Sequence, residues 1–128
     1  MSPGAARLRA PFLVTAGLEL AAGLPCLLVP RLAGDLMGLF PDAGLAQAFR
    51  LLGAALLALG ALAWFASRPR AAAFAREAGV VLAGYHSMAA LLLWSGVVAG
   101  PFAPYVAGAA AVTHLVLAGW IFAGLSSR

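Results

Sequence analysis

The stretch Ala46–Ser67, AQAFRLLGAALLALGALAWFAS, decides the class of fold. Beyond Arg50 it holds no charged side chain, and its apolar residues run on without the alternation of a barrel strand. Wound as a helix at about 1.5 Å per residue, it is long enough for the roughly 30 Å of a bilayer's hydrocarbon core. Three further runs of the same kind flank it: Pro11–Val29, Ala78–Ala99 and Ala103–Leu125. Lipid offers backbone N–H and C=O groups no partners, which leaves helices for all four. The pattern predicts an all-α, four-transmembrane-helix up-down bundle, with residues 1–128 forming one domain.

Composition points the same way. Hydrophobic residues make up 64% of the 128 and charged residues 9%, against about 45–50% and about 25% in a soluble domain. A protein this small exposes much of its surface, and eight basic plus four acidic side chains do not cover it. The net charge of +4 comes from Arg alone, and no basic stripe with interleaved aromatics marks a nucleic-acid partner. The bilayer is the partner that composition implies; other membrane proteins or a second copy stay open. Arg without any Lys, among abundant Ala and Leu, resembles GC-rich bacterial coding. The single Cys26 excludes an intramolecular disulfide. Arg7 and Arg9 before an apolar run resemble a signal peptide, but Glu19 inside the run and the lack of an A-x-A site after Val29 favour a retained helix.

The arginines orient the bundle. With four spans, the termini and the second connection share a side, which collects Arg7, Arg9, Arg68, Arg70, Arg76 and Arg128; the other side has Arg31 and Arg50. This bias predicts cytoplasmic termini and a multi-pass protein of the bacterial inner membrane. Trp64, Phe74 and Trp120 fall near the inner interface, and Phe40, Trp94, Phe102 and Tyr105 near the outer one. In Pro30–Phe40, Leu32, Leu36, Leu39 and Phe40 recur at helical spacing, which predicts a short helix in the interface plane acting as a lid. Asp42 is placed to cap the second span, starting it near Ala43.

Between helices in lipid, close packing replaces the hydrophobic drive. Gly53 and Gly60, seven apart, face one side of the second span and predict a close crossing; Gly17, Gly23, Ala107, Ala111 and Ala118 supply small surfaces elsewhere. Pro25 removes one backbone hydrogen bond and predicts a bend in the first span.

Glu19, His86 and His114 are the ionisable residues deep within spans. Such a group costs at least about 2.5–3.5 kcal/mol at the bilayer centre, so it turns inward and finds partners. Counted from the outer ends of their helices, all three lie about 15–20 Å deep, in one layer. Thr15, Gly23 and Cys26 share the face of Glu19; Tyr85 adjoins His86; Ala107, Ala111 and Ala118 share the face of His114. Arg50 either reaches inward to Glu19 or, the preferred reading, snorkels outward to Asp42.

Three roles fit this set. It is polar glue between helices; it exchanges protons or holds a polar ligand head; or it binds haem or a metal, with His86 and His114 as ligands and Glu19 or Cys26 in support. Neighbouring helices favour a single ion over a haem sandwiched between histidines, but no metal-binding motif is present. No nucleophile elbow, phosphate loop or Ser-His-Asp set is present either, so the chain reads as non-enzymatic: an accessory or small lipophilic-ligand-binding protein. The competing reading is a proton-coupled small-molecule transporter using Glu19.

Two resemblances bear on this. Leu28-Val29-Pro30-Arg31, Phe40-Pro41 and Phe49-Arg50-Leu51-Leu52-Gly53-Ala54 before an Ala/Leu/Gly-rich helix resemble the DoxX-like and related small bacterial four-helix membrane proteins. That resemblance implies an inner-membrane bundle, sometimes linked to redox partners. Glu19 in the first span, with Trp94-Ser95-Gly96 in the third, resembles the small multidrug resistance transporters and implies an essential Glu19. Trp94 departs from that pattern by lying near the far end of its helix, and the Arg asymmetry departs from dual topology.

Overall fold

In lipid the usual arrangement of side chains inverts: large apolar groups are at home outside, and small ones let helices touch. The computed structural model, which describes residues 3–40 and 42–126, follows this rule. Ala16, Ala63, Ala66, Ala75, Ala78, Ala83, Ala107, Ala111 and Ala118 are buried, whereas Leu51, Leu91, Leu92, Leu115 and Val116 face outward. Pro41 and Arg128, which entered the sequence readings, lie outside the described residues.

The described residues form five helices and no strand: α1 (Pro3–Leu28), α2 (Pro30–Leu36), α3 (Ala43–Ala66), α4 (Ala75–Ala99) and α5 (Pro104–Ser126), with a 3-10 turn at Pro69–Ala71. Four of these, all but α2, are long and apolar enough to cross a membrane. The expected spans all appear, with shifted ends. The largest shift is at α1, where Pro11 lies inside the helix rather than in its first turn. Pro11 lacks one N–H, but its ring is fully buried and helix-forming Ala and Leu residues precede it. Polar starts explain α3 and α4, whose first turns extend past the apolar run. Asp42 caps α3 as its position predicts, Oδ1 accepting from Leu45 N at 2.8 Å.

The helices associate as two tight pairs, α1 with α3 and α4 with α5, joined chiefly through α1 and α5. The expected close crossing belongs to the first pair. A Cβ on Gly53 would stand 2.6 Å from Leu27 N and 2.7 Å from Gly23 O, so the two backbones touch there. Two turns further on, a Cβ on Gly60 would meet Ala16 O at 3.4 Å and Glu19 Cβ at 3.2 Å. In the second pair the Phe102 ring lies directly on Gly96.

At the end where α1 begins and α5 finishes, Leu8, Phe12 and Ala16 pack with Ala63, Ala66, Ala75, Ala78, Leu82, Ala83 and Ile121. At the opposite end Cys26, Ala33 and Phe49 form a smaller cluster. That end is also stitched by backbone: Ala103 N donates to Met37 O at 2.8 Å, beside Gly38, whose φ of +80° suits glycine. Gly100, φ +91°, terminates α4 in the left-handed conformation. The expected short helix exists, and its small residues Ala33 and Gly34 face the bundle while Leu32, Leu36 and Phe40 stay exposed.

Candidate functional site

Between the two apolar clusters lies a polar layer. α1 contributes Thr15 and Glu19, one turn apart on a single face; α4 contributes Tyr85 and His86; α5 contributes His114. Thr15 and His86 are fully buried, Glu19 is 2% exposed and His114 is half-buried. The ligating atoms of Glu19, His86 and His114 all lie within 4.8 Å of one another. The layer predicted by counting residues from the helix ends is therefore a single cluster.

Its hydrogen bonds run in two branches. In one, Thr15 Oγ1 meets His86 Nε2 at 3.0 Å, and His86 Nδ1 meets His114 Nδ1 at 2.7 Å. In the other, Tyr85 Oη donates to Glu19 Oε2 at 3.1 Å. The rings of Tyr85, His86 and His114 pack on each other, with centroids 4.9 to 5.6 Å apart. Among the described residues no buried side-chain nitrogen or oxygen lacks a hydrogen-bond partner. Every polar group placed here thus has its desolvation offset by at least one hydrogen bond.

The first branch is reversible. Two neutral imidazoles joined Nδ1 to Nδ1 share one hydrogen. If His114 donates it, His86 carries its own proton on Nε2 and donates to the Thr15 hydroxyl. If His86 donates, its Nε2 accepts from Thr15 instead. With one proton taken up at His114 Nε2 and one released from the Thr15 hydroxyl, hydrogens shift along both bonds and the first state becomes the second, so the branch can pass a proton without moving a helix.

Not every neighbour expected on α1 and α3 joins this cluster. Cys26, seven residues on from Glu19 and so about 10 Å along α1, packs against Ala33 and Phe49. Arg50 neither reaches Glu19 nor pairs with Asp42: it is exposed and donates to Gln47 Oε1 at 3.3 Å. It also lines a groove at the α2 end of the bundle with Val29, Pro30, Arg31, Leu32, Ala43 and Ala46. Thr15, which the sequence reading placed on the face of Glu19 without making it a site residue, is a member through its bond to His86. It was visible one turn from Glu19, but nothing in α1 alone says that this face meets the third span.

Compared with family models, with characterised proteins and with solved structures, the chain matches none of them.

Proposed function

We propose that this chain is a small multi-pass protein of the bacterial cytoplasmic membrane, without catalysis of its own, that binds a small ligand at the Glu19–His86–His114 cluster. One observation carries the reading: three ionisable side chains from three different helices converge in the interior, within 4.8 Å of one another. Joining helices does not require this. Small side chains already bring α1 and α3 into backbone contact, and Ser or Thr hydroxyls would serve as polar glue at lower cost than ionisable groups. Both termini and the turn at Pro69–Ala71 face the cytoplasm in this reading, α2 lies in the outer interface, and the layout keeps its resemblance to DoxX-like proteins.

The test is thermal unfolding of the purified protein, wild type and Glu19→Gln, against lipophilic cations, quinones and divalent transition metals. A true ligand at about 100 times its Kd stabilises by about 2.7 kcal/mol. The expected result is a raised Tm for one class in the wild type and a much smaller shift in Glu19→Gln. If no class raises the wild-type Tm, the cluster is structural and the proposal fails.

A second reading, proton-coupled transport through Glu19, is favoured by the Thr15–His86–His114 relay and by the hydroxyl that Tyr85 directs at Glu19. It requires that a transported cation displace a proton. Absence of proton release from the wild type on adding any cation that binds would eliminate it.

A further inference from the structure

We propose that the ligand is a single divalent transition-metal ion, held by His86 Nδ1, His114 Nδ1 and a carboxylate oxygen of Glu19. This rests on the reading that the cluster binds a ligand, and it names the class. Two imidazoles and one carboxylate form a donor set suited to zinc, iron(II), cobalt(II) or nickel(II), not to calcium or magnesium, which take oxygen ligands. Three protein ligands also leave a coordination position open for water or a further small molecule.

The geometry is close to what an ion requires. Around a tetrahedral ion with bonds of about 2.0–2.1 Å, ligand atoms stand about 3.3 Å apart. The two Nδ1 atoms, at 2.7 Å, must open slightly and turn from facing each other to facing the ion, and the Glu19 carboxylate, which has an oxygen within 4.8 Å of a ring nitrogen of each histidine, must close on it. Thr15 prepares His86 for this role. When its hydroxyl accepts from His86 Nε2–H, the ring is fixed in the tautomer whose Nδ1 is a free lone pair facing the cluster. Metal entry then moves the proton between the rings from His114 Nδ1 to His114 Nε2. Both histidines bind as neutral imidazoles, and Glu19, as carboxylate, supplies one negative charge against the ion's two positive charges. The Tyr85 hydroxyl on Oε2 orients that carboxylate. A haem gains no such support, because imidazoles in direct contact leave no room for a porphyrin between them.

The experiment is titration of the chelator-treated full chain in detergent with Zn²⁺ by calorimetry and with Co²⁺ by visible absorption. Extended X-ray absorption of the loaded wild type then counts its ligands. Expected are one ion per chain, a Co²⁺ spectrum of four- or five-coordinate type, and two imidazole nitrogens at about 2.0–2.1 Å. Glu19→Gln and His114→Ala should each weaken binding at least 100-fold, whereas Thr15→Val, which touches no metal, should weaken it about 10–100-fold. The wild-type absorption data decide the matter even if a variant fails to fold. Binding that is unaffected by these substitutions, or a shell without two imidazoles, overturns the site. If metals do nothing while a quinone or lipophilic cation still raises the wild-type Tm, this inference falls and ligand binding stands. If no class acts, both fall.

Discussion

Thr15 shows what a single hydroxyl does in this interior. It is fully buried, and its partner His86 Nε2 has no access to water. Thr15→Val keeps the shape and removes the bond, leaving a ring nitrogen unpaired. Hydrogen bonds of this kind between membrane helices average about 0.6 kcal/mol and reach about 1.7, and a stranded group adds to that. Destabilisation of about 1–2 kcal/mol is expected for Thr15→Val, and less for Thr15→Ser, which keeps the oxygen. Reversible unfolding in mixed micelles measures both; equal losses would show that the methyl, not the hydroxyl, matters. The His86–His114 contact has its own signature, a ¹⁵N–¹⁵N coupling across the N–H···N bond that should vanish in His114→Gln. Of this residue-scale picture the sequence disclosed the three ionisable groups and their common depth, since helical rise converts position into depth. It did not disclose who bonds whom. Thr15 and His86 meet across helices 71 positions apart, and nothing local encodes such a pairing.

At the scale of elements, legibility divides along the same line. Helix existence followed from continuous apolar runs, and the α3 start followed from Asp42, because a cap is a local interaction. Which faces touch was legible only where small residues recur, as at Gly53 and Gly60. A helix apolar all round has no moment to reveal its buried side, and the large residues of these helices face outward. Glycines therefore differ sharply in what they tolerate. A methyl on Gly53 would press on backbone atoms of Leu27 and Gly23, which no side-chain rotation relieves, whereas around Gly17 nothing lies within 4 Å. Gly53→Ala should cost about 1–3 kcal/mol by forcing α1 and α3 apart, while Gly17→Ala should be neutral or stabilise by up to about 1 kcal/mol. The same unfolding assay checks the pair. Gly60→Ala extends the contrast to the site, because its new methyl meets Glu19 Cβ at 3.2 Å. It should lower affinity for the cluster's ligand without removing any polar group, and unchanged affinity would show that Glu19 is not positioned by α3.

For the whole molecule, the chemistry of the two ends sets its orientation. One end gathers Arg7, Arg9, Arg68, Arg70 and Arg76, with Arg68 stacked over the Trp64 ring at 5.2 Å. The other end has Arg31 and Arg50, both lining the groove beside α2. Arg excess on one flank is what membrane insertion retains in the cytoplasm, so topology and packing make independent demands on the chain. The arginines are exposed and no site contact depends on them, which permits a test that leaves the interior alone. In a Cys26→Ser background, a cysteine at Asp35 should react with a membrane-impermeant thiol reagent in intact cells, and one at Ala73 only after permeabilisation. Both positions are exposed, so accessibility within the protein does not limit labelling. Changing Arg68, Arg70 and Arg76 to Ala reduces the six arginines that the sequence assigns to this flank, Arg128 included, to three, against two opposite. Mixed labelling of Ala73→Cys is the expected outcome for that variant, since the bias that sets topology is then nearly gone. Labelling of Ala73→Cys, and not of Asp35→Cys, in intact cells of the otherwise unaltered chain would reverse the orientation. The layer of Glu19, His86 and His114, about 15–20 Å below the α2 end of the bundle, would keep that depth, then counted from the cytoplasmic face.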